Sequence, residues 1–244
     1  MDFRINGLVK TSLIEFPGRI ATGVFSRGCN FRCPYCHNAD LVLGPADRPD
    51  MDVPGVLEFL AQRRGFVDGV VVSGGEPTLQ PGLPAFLRAV RRLGFATKLD
   101  TNGSRPDVLR RLLAEGLLDY VALDLKAPLE RYEAAVGAPS VVLFPDKGRR
   151  VSSGAAVGES IRLVLAANIA HEFRTTVVPG IVAPADVPEM AQTIAGAQRY
   201  YLQQFRPTTT LDPAYERVTP YAPAVLHQMA QVAQAWVPTA VRGL

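Results

Sequence analysis

The chain has 244 residues, with 26 basic and 23 acidic side chains and a net charge of +3. Hydrophobic residues make up 48% and charged residues 20%, a balance that supports a full buried core and excludes a disordered, collagen-like or disulfide-stapled chain. The small positive excess permits an anionic ligand and gives no reason to expect a nucleic-acid partner.

The N-terminal stretch MDFRINGLVKTSLIEF has no basic region followed by an apolar run, so no secretory signal is expected. No segment approaches the roughly 20 apolar residues that cross a bilayer, so no membrane partner is expected either. The expectation is a cytoplasmic protein with reduced thiols.

In chain order, the first predicted strand covers 21–26 (ATGVFS) and the first helix covers 53–66, with Val56, Leu57, Leu60 and Phe66 as its apolar positions. A strand over 69–73 (GVVVS) leads to a helix over 84–93, and a strand over 96–100 (ATKLD) to a helix over 106–118. Both helices begin with proline, which suits a first turn. A strand over 120–125 (YVALDL) follows. Residues 137–158 are rich in Gly, Pro and Ser and read as a long loop, either a lid or a surface insertion. Beyond it come a helix over 159–170, a strand over 173–178, a helix over 187–198, a strand over 200–205 and a helix over 224–236. Such alternation predicts parallel strands joined by right-handed helical crossovers. With no linker or repeat, the expected fold is α/β: one domain over 1–244 built as a partial (β/α)6 barrel.

All three cysteines of the chain, Cys29, Cys33 and Cys36, fall within eight residues directly after the first strand. An odd number cannot close into internal disulfides. The spacing C-x3-C-x2-C lets one loop turn three thiolates toward a common centre, and thiolates are the usual ligands of iron–sulfur clusters. A cubane cluster has four irons, so three cysteines leave one iron open to a small molecule. Two other readings use the same residues. Structural zinc wants a fourth ligand, and His37 sits awkwardly beside Cys36. A redox pair of Cys33 and Cys36 leaves Cys29 unexplained.

Charged and glycine-rich motifs close the strands that follow. Ser73-Gly74-Gly75-Glu76-Pro77 follows the second strand, where glycines let backbone approach a ligand and a carboxylate could hold an ammonium group. Asp100-Thr101-Asn102-Gly103 closes the third strand and Asp124-Leu125-Lys126 the fourth. Alternation puts Lys98 with Asp100 on one face, and Asp124 with Lys126. Charges inside apolar strands are costly unless paired or functional. An ion pair of Asp100 with Lys126 is the structural explanation, and a site at the C-terminal strand ends is the functional one.

The cysteine spacing, with aromatic Tyr35 before the last cysteine, resembles the radical S-adenosylmethionine superfamily. The resemblance implies a 4Fe–4S cluster on Cys29, Cys33 and Cys36, its fourth iron chelated by the amino and carboxylate groups of S-adenosylmethionine, with Tyr35 near the adenine. Gly74, Gly75 and Glu76 resemble that family's motif for the methionine amino group. Alternation sets Arg174, Thr176 and Val178 on one face at the end of the fifth strand and Gln203 and Phe205 on one face of the sixth, a wall that would suit ribose and adenine, with core packing as the other reading of Val178 and Phe205. Asp100, Thr101, Asn102, Asp124 and Lys126 complete the implied cofactor site.

Longer stretches narrow the resemblance. These are 7–18 (GLVKTSLIEFPG), Cys36-His37-Asn38, 100–103 (DTNG), 124–128 (DLKAP), 174–180 and 203–207 (QQFRP). Together they resemble glycyl-radical-enzyme activases, most closely the activating proteins of anaerobic ribonucleoside-triphosphate reductase. The likeness runs from about Gly7 to Arg242, although the loop over 137–158 looks long for that family. The resemblance implies an oxidoreductase: reductive cleavage of S-adenosylmethionine, then hydrogen abstraction from a backbone glycine of a glycyl-radical enzyme. It also implies an electron donor of flavodoxin or ferredoxin type, and a monovalent cation at Asp100, Thr101 and Asp124. Without further cysteines, a second ferredoxin-like cluster domain is excluded. The alternatives are a radical enzyme acting on a small molecule and a non-catalytic iron–sulfur or zinc protein. Gly74, Gly75 and Glu76 count against the last, since cluster ligation alone needs no ammonium site.

Overall fold

The structure, a computed structural model, describes residues 2–43, 49–137, 142–144 and 149–244. Strand β1 (Ile5–Ser12) runs antiparallel to β2 (Ala21–Ser26). The short helix α1 (Ala39–Leu43) follows the cysteine loop, and α2 (Val53–Gln62) leads into β3 (Gly69–Gly74). Next come α3 (Leu83–Arg92), β4 (Ala96–Thr101), α4 (Pro106–Ala114) and β5 (Tyr120–Asp124). A short helix α5 (Tyr132–Val136) and a two-stranded ribbon of β6 (Val142–Phe144) and β7 (Arg149–Val151) precede α6 (Ser153–Ala166). The chain finishes with β8 (Ala170–Val177), α7 (Val187–Thr193), β9 (Tyr200–Gln204), α8 (Pro223–Ala233) and β10 (Thr239–Arg242).

The main sheet has eight strands in the order β1-β2-β3-β4-β5-β8-β9-β10, and every pairing from β2 to β10 is parallel. Since β1 and β10 do not meet, the sheet stays open. The six strands predicted from sequence are its centre, and two strands at the edges were not foreseen. Among the described residues, no helix is long and apolar enough to cross a membrane.

Period-two alternation divides the sheet into two faces. Val70, Val72, Leu99, Val121, Leu123, Phe173 and Leu202 join the main core with residues from the helices. Val71, Tyr120 and Ala122 point the other way and form a small cluster with Ala21 and Phe16. Phe16 comes from the β1–β2 loop and acts as a floor plug. It is 2% exposed, packs edge-on to Tyr120 at 5.8 Å, and covers Gly69, where a Cβ would lie 2.9 Å from its ring. On this inner face the same alternation places Lys98 and Asp100 of β4, Asp124 of β5, Glu172, Arg174 and Thr176 of β8, and Gln203 of β9.

Two sequence expectations are corrected. The predicted loop over 137–158 lies partly outside the described residues, at 138–141 and 145–148, but its last part is helix. Ser152 caps α6 by accepting from the Ala155 N–H at 3.2 Å. Gly154 and Gly158 are packing glycines: a Cβ at Gly154 would fall 2.1 Å from the Leu129 carbonyl oxygen, and one at Gly158 would fall 3.1 Å from the Leu129 side chain. Phe66 lies beyond the end of α2 and is 70% exposed beside the Arg63 guanidinium, so it is not part of that helix's apolar face. His171 belongs to β8. Its ring nitrogens bond the Ile169 carbonyl and the Gln198 N–H.

Candidate functional site

The cysteine loop leaves the C-terminal end of β2 and is pinned on three sides. The Gly28 N–H donates to Leu41 O of α1, and the Arg32 N–H to Val136 O of α5. The carbonyls of Pro34 and Cys36 accept from the N–H groups of Asp212 and Leu211. Cys33 is buried, and Cys29 and Cys36 are half-buried. Burial, with Glu76 nearby, pushes the Cys29 thiol up to about 12. Burial also raises Cys33, against the opposing pull of Lys126. Thiols of this kind lose their protons on binding a metal centre. Among the described residues, no three His, Cys, Asp or Glu side chains converge on one ion position.

The Gly-Gly-Glu turn at the end of β3 docks on this loop. Gly74 adopts φ +118°, and a Cβ there would lie 2.4 Å from both the nitrogen and the oxygen of Ser26. A Cβ at Gly75 would lie 2.1 Å from the Gly28 carbonyl oxygen. The Gly75 and Glu76 N–H groups donate to Ser26 O and Gly28 O at 3.0 and 2.8 Å. The glycines thus let the turn touch the cysteine loop itself, where the sequence suggested only close approach to a ligand. Glu76 is fully buried. Its Oε1 accepts from the Thr78 N–H and hydroxyl and from the Thr101 hydroxyl, and its Oε2 accepts from the Asn102 N–H at 2.6 Å. Burial raises the Glu76 carboxyl, and these four donors pull it back. The carboxylate clips β3 to β4 and leaves acceptor capacity on Oε2.

Charged side chains from three adjacent strands form one chain of ion pairs. Lys98, 1% exposed, bonds Asp100. Arg174 bridges Asp100 at 3.2 Å and Asp124 at 2.8 Å, and Lys126 reaches Asp124 at 3.4 Å. The direct Asp100–Lys126 pair considered from sequence is replaced by this bridge through Arg174, a residue on neither of their strands. Burial pushes the Asp100 carboxyl up, but Arg174 and Lys98 outweigh it and hold it below the usual range. Asp124 is lowered in the same way by Arg174 and Lys126.

These parts line one cavity of about 400 Å3 at the C-terminal strand ends, within the size range of small-molecule sites. The three cysteines, Tyr35, Gly74, Gly75, Glu76, Asp100, Thr101, Asn102, Asp124, Lys126, Arg174, Thr176 and Gln203 all line it. Val178 and Phe205 do not. β8 ends at Val177 and β9 at Gln204, so alternation stops before them and both are fully buried in the main core. Phe205 stacks on His37 at 6.0 Å. Glu15, Phe25, Phe31 and Val42 line the cavity without having been chosen from sequence, and His37, Asn38 and Ser73, named there only within motifs, line it too. The position of Glu15 beside the plug residue Phe16 was the least foreseeable, since no periodicity governs that loop.

Comparison with known proteins agrees with this arrangement. Residues 24–194 match the radical SAM superfamily. A Methanocaldococcus jannaschii protein described as a "putative glycyl-radical enzyme activating enzyme" is 30% identical over 99% of this chain and 96% of its own length. Pyruvate formate-lyase-activating enzyme of Clostridium pasteurianum is 34% identical over 50% of this chain and 52% of its own. Among solved structures, Streptococcus suis SuiB bound to S-adenosylmethionine superposes with a TM-score of 0.65 and 14% identity. That superposition covers 88% of this chain and 48% of SuiB, and is a likeness of fold. The chain belongs to the radical SAM superfamily and, within it, to the glycyl-radical enzyme activating enzymes.

Proposed function

We propose that the protein holds a 4Fe–4S cluster on Cys29, Cys33 and Cys36, binds S-adenosylmethionine beside it, and takes a hydrogen atom from a backbone glycine of a glycyl-radical enzyme. Anaerobic ribonucleoside-triphosphate reductase is the partner we favour, on the sequence stretches it shares with that group of activases. The observation that carries the reading is the single cavity in which the cysteines, the Gly74–Glu76 turn and the charged ends of β4, β5 and β8 meet. When bound, the cluster supplies the electron that cleaves S-adenosylmethionine to methionine and a 5′-deoxyadenosyl radical, the electron coming from a flavodoxin or ferredoxin type donor.

The chain's own residues do the rest. Glu76 offers its remaining Oε2 capacity to the methionine ammonium. Arg174, Thr176 and Gln203 present donors and acceptors to the ribose, and Tyr35 lies against the adenine. Asp100, Thr101 and Asp124 supply oxygen atoms suited to a monovalent cation. Phe16, Tyr120 and Ala122 close the floor with apolar surface, which keeps water from a reactive radical. The open edge between β1 and β10 leaves room for an extended protein segment. A partner whose glycine loop is exposed only in a minor state would bind with reduced apparent affinity.

The test is anaerobic incubation of the reduced protein with S-adenosylmethionine and the reductase, read by electron paramagnetic resonance. A glycyl-radical doublet on the partner, absent with Cys33→Ala, is expected. Formation of 5′-deoxyadenosine at one slow rate with or without the partner, accelerated instead by a small metabolite, would replace this reading with a small-molecule radical enzyme.

A further inference from the structure

The Cys29 sulfur accepts from two other residues, one of them just past the end of β4. The Phe31 N–H donates to it at 3.3 Å, and the Asn102 Nδ2 at 3.7 Å.

The orientation of the Asn102 amide is not free. Its Oδ1 accepts from the Ser104 backbone N–H at 2.9 Å, a donor that cannot be reversed. The Nδ2 must then face the other way, toward Cys29 and toward Asn30 Oδ1 at 3.1 Å. Asn102 is 5% exposed, and its own N–H is tied to Glu76. The side chain is therefore locked with one amide hydrogen on Asn30 and the other on the Cys29 sulfur.

We propose that Asn102 is a positioning residue that sets the reduction potential of the cluster through its hydrogen bond to Cys29; this rests on the cluster reading above. A cluster that accepts one electron from an external low-potential donor gains negative charge, part of it on the ligand sulfurs. An N–H directed at such a sulfur stabilises the reduced form more than the oxidised form and raises the potential. Asn102 thus eases the electron uptake that must precede S-adenosylmethionine cleavage. It does so from β4, the strand whose Asp100 and Thr101 line the same cavity.

The experiment is a redox titration of the anaerobically reconstituted protein without S-adenosylmethionine, followed by the paramagnetic signal of the reduced cluster. In Asn102→Ala the midpoint should move to more negative potential, with the ratio of reduced to oxidised cluster falling about threefold at the wild-type midpoint, or roughly 30 mV for one electron. Asn102→Asp keeps the acceptor for Ser104 and loses the donor, and should shift in the same direction. Ser104→Ala removes only the hydroxyl beside Asn30 and should stay near wild type. Wild-type potentials in both Asn102 variants would overturn the proposal. So would loss of the cluster from both variants while their circular dichroism stays native, which would make Asn102 a residue of assembly. Failure of the wild-type protein to take up iron would instead overturn the cluster reading itself.

Discussion

Replacing Arg174 by methionine keeps the aliphatic stem and removes the guanidinium that joins Asp100 to Asp124. The substitution deletes two charge-assisted hydrogen bonds, at 3.2 and 2.8 Å. Each such bond contributes about 1.5–3 kcal/mol, and a buried ion stripped of its only partner costs about 3–5 kcal/mol. Neither carboxylate is stripped entirely, because Asp100 keeps Lys98 and Asp124 keeps Lys126. The Asp124 side chain is also 32% exposed, so water screens its share of the loss. The expected cost is about 2–3 kcal/mol, measured at pH 7 by urea unfolding of the metal-free protein followed by circular dichroism. The pH dependence is a second check. Both carboxyls are held below their ordinary value of 3.8, so their stabilisation is complete above that value and is lost as pH falls through the lowered ones. The gap between wild type and Arg174→Met should be constant from pH 8 to pH 5 and narrow below about pH 4. A gap under 1 kcal/mol at pH 7, or one that does not narrow in acid, would refute the bridging role.

Gly154→Ala should destabilise by about 1–3 kcal/mol through its clash with the Leu129 carbonyl, whereas a glycine in an unconstrained loop would gain about 0.5–1 kcal/mol from the same change; a thermal melt decides the sign. Phe16→Ala should cost about 3–4 kcal/mol by opening the floor beneath Tyr120, read as a lower urea midpoint. Glu76→Ala should weaken S-adenosylmethionine binding tens-fold by calorimetry, about 2 kcal/mol. It should also lower stability, because buried donors from Thr78, Thr101 and Asn102 lose their acceptor.

What the sequence disclosed follows physical periodicity. The six central strands were legible because each is a short β-branched or aromatic run buried on both faces. The cysteine loop was legible because three thiols in one turn have few uses. Strand β1 was missed because INGLVKTS mixes glycine and lysine with its apolar residues, and it pairs on one side with two irregularities of register. Strand β10 is only four residues long and owes its existence to β9. Ranges ran past the true ends at Phe66, Val178 and Phe205, since a local pattern does not mark where a neighbouring strand stops. The glycines of α6 looked like loop residues because the reason for them, close packing on Leu129, lies 25 residues away from Gly154 in the chain. The Arg174 bridge likewise needed three strands side by side before its partners could be paired.

An open sheet has two rims, and each bare rim is a template on which another chain could add a strand. Here both are blunted. On β1 the ladder is broken by shifts between Ile5 and Gly7 and between Val9 and Ser12, and the outer side of Ile5 is already taken by the Met51 N–H. On β10 the rim is four residues long, and Arg242 is folded back over the Tyr201 ring toward Glu172. The sheet therefore stays open without presenting a long bare strand edge on either side of the gap.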